Sequence, residues 1–294
     1  MSNNPLAEVF GFPSENLSET ATRYRRNKLC PYNNKVPNCT KDKANNPLGI
    51  CSIYHKQSPV ITCPVRFRQD WLIAENAASF LFKENLDWTS LTEVRLKDAS
   101  GQSAGNIDVV LVAYDGQGRI LDFGTVEVQA VYISGNVRKP FEVYMQAPET
   151  WESVNWSQLA DYYPTPDYLS SSRKRLVPQL LYKGKILREW GKKQVVIVQR
   201  SFFETLPELP KVHESQAEIA WHLYDLDLQD NRFNLKLSDV VYTEYWTAIN
   251  RISTSEAGKA EDFIEVLQRK LDDKLENSSD TQTISEISFN QEEF

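Results

Sequence analysis

Between residues 106 and 131 apolar and polar positions follow a strand pattern rather than a helical one. Residues 107–114 are a β-branched, apolar run broken by Asp108, and Asp115-Gly116, with Gly118 just behind, is a hairpin signal. The returning strand is expected over 119–131. Side chains on a strand alternate faces, so Glu127 and Gln129 share one face while Val126 and Val128 share the other. A turn at Gly116 pairs positions whose numbers sum to about 233, which sets Asp108 opposite Thr125 and within reach of Glu127. Two carboxylates and an amide then converge on one sheet face. Carboxylates crowded in partial burial are costly unless a cation joins them, so the pattern points to a divalent-metal site.

The periodicity elsewhere frames this hairpin. Residues 67–85 repeat apolar positions (Trp71, Leu72, Ala74, Ala78, Phe82) at helical spacing, and 89–96 reads as a strand holding Glu93. Residues 168–191 predict a long helix whose buried face is Leu176, Val177, Leu180, Leu181, Ile186, Leu187 and Trp190, kinked at Pro178 and capped by Gly191. Strands are expected at 194–199, 218–228 and 233–242, helices at 241–252 and 261–275, and disorder in the Ser-, Asn- and Glu-rich last twenty residues. Residues 1–22 read as an amphipathic lead-in anchored by Leu6, Val9 and Phe10, and 134–166 as an irregular, aromatic-rich insertion. From 67 to 199 the order is helix, strand, strand, strand, helix, strand, with an acid on each of the first three strands: Glu93, Asp108 and Glu127.

With 294 residues, 41% of them apolar, the chain can bury one large core with an appendage. The divisions expected are 1–66, 67–254 and an acidic 255–294. No uncharged apolar stretch is long enough to span a bilayer, and the first residues carry no basic segment leading into an apolar one. The expectation is a cytoplasmic protein, where thiols bind metals more often than they pair. All four cysteines, Cys30, Cys39, Cys51 and Cys63, fall in one stretch rich in Pro, Asn and Gly. A loop-rich segment of that length buries little apolar surface alone, and four thiolates on one zinc or iron ion would organise it. Two disulfides or unrelated buried thiols are the alternatives.

The formal charge of −7 argues against a simple nucleic-acid coat, but it is carried entirely by residues 255–294. Within the neutral remainder, 23–43 holds seven bases (Arg23, Arg25, Arg26, Lys28, Lys35, Lys41, Lys43) against Asp42, and 173–193 holds eight against Glu189. Such stripes suit phosphate contact, or are simply solvated surface. Gly101-Gln102-Ser103-Ala104-Gly105 matches the serine-hydrolase elbow, yet a strand follows where that motif needs a helix, so it reads as a hairpin loop.

The element order, with Asp108 and Glu127-Val128-Gln129, resembles the PD-(D/E)XK nuclease superfamily, with Gln129 in place of the usual Lys. More narrowly, Cys30-Pro31, Cys39, Gly49-Ile50-Cys51 and Cys63-Pro64 look like the cysteine framework of the NotI restriction endonuclease family. Ile107-Asp108, Val126 to Gln129, and Arg173-Lys174-Arg175 through Gln179, Tyr182 and Lys183 resemble its active site and following helix. The resemblance spans roughly 8–210. It implies an α/β (α+β) nuclease core with an N-terminal four-cysteine module holding structural iron (zinc being possible), double-stranded DNA as substrate, and a homodimer on a palindromic site. It also implies Asp108 and Glu127 as Mg²⁺ ligands, Gln129 as the residue orienting water, and Glu93 as a further acid. Arg23, Arg25, Arg26 and Lys28, with Arg173 and Arg175, become the expected DNA contacts. A catalytically idle DNA-binding protein that kept the sheet is the alternative.

Overall fold

A computed structural model describes residues 4–34, 36–43, 45–83, 85–153, 163–255 and 257–277. Part of the 134–166 stretch, most of the tail expected to be disordered, and Lys35 lie outside the described residues. The chain divides into two compact units, Met1–Ser253 and Thr254–Phe294. No helix among the described residues is long and apolar enough to cross a membrane.

The first unit is built on a mixed six-stranded sheet. Its strands are β1 (Asp87–Lys97), β2 (Ser103–Tyr114), β3 (Ile120–Gln129), β4 (Gln194–Gln199), β5 (Ile219–Gln229) and β6 (Arg232–Thr243), lying side by side in chain order. β4 runs parallel to both β3 and β5, and the other neighbours are antiparallel. The parallel step from β3 to β4 needs a crossover, and the long connection between them supplies it. A helix precedes β1, and the crossover holds the helix Arg138–Gln146 and a two-stranded sheet (Tyr132–Ser134 with Thr165–Asp167) ahead of the helix expected there, so from 72 to 199 the expected helix, strand, strand, strand, helix, strand is present with those elements added.

Two faces of the sheet are packed. One carries Ile73, Ala77 and Leu81 of the helix Leu72–Leu81 against Val109, Leu111 and Val126. That helix is shorter than its periodicity predicts. Asp70 and Trp71 adopt φ of 51° and 53°, which separates a 3₁₀ segment (Pro64–Trp71) from the α-helix. The other face is covered by the crossover helix, which begins at Tyr168 and ends at Glu189. It is not a regular α-helix. Ser172–Leu176 and Leu180–Gly184 are π-helical turns on either side of Pro178. Proline brings no N–H, and widened turns are one way a helix absorbs that loss without breaking. The helix lies close to the sheet at Gly184, where an added Cβ would come within 2.8 Å of Gln194 Oε1 and 2.9 Å of Tyr245.

The residues before 67 do not stand alone. Leu6–Val9, Phe12–Pro13, Ile50–His55 and Ser58–Ile61 form a four-stranded sheet, and Leu6, Val9, Ile50 and Ile53 join a core that includes Val196 and Trp221. Two polar devices join this sheet to the larger one. Glu8 and Arg66 form a fully buried ion pair, with Arg66 Nε 2.9 Å from Glu8 Oε1. Arg66 also donates to the carbonyl of Phe233 and to Gln69 Oε1, its guanidinium lies over the Tyr32 ring, and Ser52 Oγ donates to Glu8 Oε2. The second device centres on Ile61. Its N–H donates to Gln199 Oε1 at 2.7 Å, and its carbonyl accepts from Val131 N–H at 2.9 Å.

The second unit contributes one described helix, Ala260–Asn277, with Phe263, Ile264, Leu267, Leu271 and Leu275 exposed along it.

Candidate active site

The hairpin of β2 and β3 forms, with a register two positions from the one a turn at Gly116 would set. Tyr114 faces Ile120, and the connection is held by Asp115, whose side chain accepts from the N–H groups of Gln117 and Arg119. Gly118 supplies the positive φ, 78°. Beyond a bulge the pairing runs Val109 with Val126, and the same register sets Asp108 level with Glu127 rather than Thr125. The longer loop therefore brings the two carboxylates closer than expected.

Asp108 Oδ2 accepts from Val128 N–H at 2.8 Å, and its carboxyl lies within hydrogen-bonding reach of Glu127. Glu127 is buried, and burial first, then the Asp108 charge, lifts its carboxyl to about 8. A third group opposes that shift. Lys183, from the second π-turn of the crossover helix, places Nζ 2.6 Å from Glu127 Oε2 and 2.8 Å from the Asn106 carbonyl. Both side chains of this pair are nearly inaccessible, at 6% and 4% exposure. Glu127 Oε1 is buried with no hydrogen-bond partner. An orphaned carboxylate oxygen beside a second carboxyl is what a hard divalent cation would satisfy, so the donor set fits Mg²⁺.

Gln129 lies two residues on. It is 8% exposed and turns its amide onto the Ala130 carbonyl. With Asp108 it lines a cleft of about 490 Å³ whose other walls include Lys41, Thr62, Tyr132 and Arg175. The Arg175 guanidinium is exposed and stacks over Tyr132, 4.7 Å from the ring centre. Arg173 is exposed on the same helix. Glu93 is level with Asp108 on β1, at a kink with φ 57°, between the pairs Thr92–Val109 and Val94–Ile107. Its carboxylate is 57% exposed and faces Arg68 at 4.0 Å.

The basic stripe at 23–28 divides. Arg23, Arg26 and Lys28 are exposed on and just after the helix Glu19–Arg26. Arg25 is not. It is 3% exposed, and its terminal nitrogens donate to the carbonyls of Asn16 (2.6 Å) and Pro13 (2.7 Å) while it lies over Tyr144. The expectation that Arg25 contacts DNA is corrected. A helical turn places it inward, where it brackets the lead-in segment. Lys183 is the opposite case, a group in the site that sequence reasoning assigned no role. It enters the sequence reading only through the likeness of 173–183 to a family helix, although a regular helix turns it onto the same face as Leu176, Leu180 and Leu187.

All four cysteines are free thiols. Cys30, Cys39 and Cys63 line one cavity of about 300 Å³, and Cys51 is an electrostatic neighbour of Cys63 and Cys30. Burial pushes the Cys30 thiol up to about 11, with Cys63 and Cys39 adding to the rise. The thiols are thus near one another. Among the described residues, however, no three His, Cys, Asp or Glu side chains are arranged around a common ion position, here or at Asp108 and Glu127.

Comparison with known proteins adds one match. The family described as Restriction endonuclease NotI matches residues 15–237. No curated protein matches the chain.

Proposed function

The chain belongs to the NotI restriction endonuclease family, which implies a type II restriction endonuclease, and on that premise we propose that it hydrolyses phosphodiester bonds of double-stranded DNA at a specific palindromic sequence, using Mg²⁺ held by Asp108 and Glu127. The observation that carries this reading is the pairing of the two carboxyls with an orphaned, buried Glu127 Oε1, where Asp108 lines a cleft together with Gln129 and Arg175. Mg²⁺, when bound, supplies Lewis acidity and neutralises charge at the phosphate. The chain's own residues do the rest. Asp108 and Glu127 bind the cation. Gln129 leaves the Ala130 carbonyl to orient the attacking water, by hydrogen bonds alone, since an amide neither carries charge nor takes up a proton. Arg175, held flat by Tyr132, and Arg173 contact phosphates flanking the scissile bond, and Arg23, Arg26 and Lys28 extend that track. Glu93 serves as an outlying acid, tied to Arg68.

In this reading, residues 67–254 form a PD-(D/E)XK core and 1–66 a module whose four thiols hold structural iron or zinc, with 255–294 an acidic appendage. Two copies act together, as a palindrome requires two equivalent cuts. Incubating the protein with plasmid DNA, with Mg²⁺ and then with EDTA, tests the activity. Discrete fragments with Mg²⁺ alone are expected. Cleavage in EDTA, or full cleavage by Glu127→Gln, overturns the metal site. DNA retardation without cleavage under any divalent ion supports an idle DNA-binding protein instead. Metal analysis of the purified protein should return about one iron or zinc per chain.

A further inference from the structure

The ion pair between Lys183 and Glu127 is not explained by stability. Lysine is almost never buried without a partner, and a buried pair of this kind is commonly replaced by apolar groups at little or no cost. Yet here the sequence delivers an ammonium to 2.6 Å from Glu127 Oε2 through specific means. The crossover helix widens into a π-turn over Leu180–Gly184, and Gly184 lets it approach Gln194 more closely than any side chain would allow. The Asn106 carbonyl, on the strand that carries Asp108, fixes the ammonium from the other side at 2.8 Å. Three elements are therefore pinned by one nitrogen. The consequence for Glu127 is asymmetric. Oε2 is taken, and Oε1 is left without a partner.

We propose that Lys183 is the cationic member of this active site, supplied by the crossover helix where position 129 brings only a neutral amide, and that it positions Glu127 by holding Oε2 so that Oε1 alone is offered to the metal. This rests on the reading of Asp108 and Glu127 as metal ligands. Lys183 brings one positive charge to the two carboxyls while fixing the direction of the ligand oxygen. It is a positioning residue, acting through Glu127.

The test compares Lys183→Met, Lys183→Gln (which keeps a donor for the Asn106 carbonyl), Gln129→Lys, and the double variant Lys183→Met/Gln129→Lys. Three quantities are read: single-turnover plasmid cleavage at saturating Mg²⁺, Mg²⁺ affinity by calorimetry with the metal alone, and melting temperature. Loss of the ammonium should slow cleavage by roughly a hundredfold. It should also tighten Mg²⁺ binding about tenfold, because a repelling charge has left the site. A lysine at 129 reaches the same sheet face, so the double variant should recover at least about tenfold of the lost rate. Opposite movement of affinity and rate, with rescue from a second position, is not expected of a side chain that only packs. Cleavage at the original rate in Lys183→Met and Lys183→Gln overturns the proposal. So does a joint fall in rate, Mg²⁺ affinity and melting temperature with no recovery in the double variant. If Asp108→Asn and Glu127→Gln also cleave normally, the site reading itself has failed. If those two are inactive while the Lys183 variants are not, only the role of Lys183 is lost.

Discussion

Two buried ion pairs, each a glutamate with a basic side chain, lie in this protein and do different things. Glu8 and Arg66 are at 0% exposure, and both Glu8 oxygens and all three Arg66 nitrogens have partners. Glu127 and Lys183 are nearly as buried, yet Glu127 Oε1 has none and a second carboxyl crowds it. A closed network fixes a fold and has nothing left to bind. An open one is held at a cost, and the unfilled valence is where a ligand gains. Burial and pairing alone do not separate the two cases; the count of satisfied atoms does.

The sharpest way to break this contrast is to remove one acid from each pair. Glu127→Gln should lower cleavage by about a thousandfold or more while the protein still folds. Glu8→Ala should leave Arg66 charged and unpaired, destabilising the fold by about 3–5 kcal/mol in chemical denaturation. If each variant shows the other's phenotype, the assignment of roles is reversed. A third buried polar group sharpens the comparison. His222 is 2% exposed, its Nδ1 has no partner, and burial depresses its pKa from 6.5 to about 4. The unfolded chain takes up a proton below 6.5 while the folded one does so only near 4, so stability present at pH 7 is lost as pH falls through that window. The loss should reach about 3 kcal/mol by pH 4 and be absent in His222→Leu, measured by denaturation across pH. Gly184→Ala is a smaller lesion. The added methyl forces the helix outward at a cost of about 1–3 kcal/mol and should slow cleavage more than melting alone explains, since Lys183 moves with it. The smallest effects concern the basic stripe. Arg23→Ala or Arg26→Ala should reduce the slope of log affinity for DNA against log salt by about 1 each, with melting unchanged. Arg25→Ala should leave the slope as it was and lower the melting temperature.

The sequence made some of this legible for definite reasons. Period-two alternation marked Glu127 and Gln129 as facing together, and the Asp115-Gly116 signal located the hairpin, so the acids were found before their geometry. The register was misjudged because the Asp115 side chain stabilises a longer loop than a two-residue turn. Lys183 was hidden for two reasons. It meets Glu127 across 56 positions, and a charged side chain is expected to face solvent, although a regular helix already sets Lys183 on the face of Leu176, Leu180 and Leu187. Arg25 was misplaced because charge marks a residue as exposed only until two carbonyls are found to receive it. The left-handed pair Asp70 and Trp71 left no mark in hydrophobic spacing, which continues smoothly across the break.

The peptide of Ile61 carries one further implication. Through its N–H it is stapled to the exit of β4, and through its carbonyl to Val131, two residues past Gln129. Cys63 follows two residues later along the same chain. Any event that draws the thiols together or lets them part therefore pulls on the same knot that closes the ends of both parallel strands.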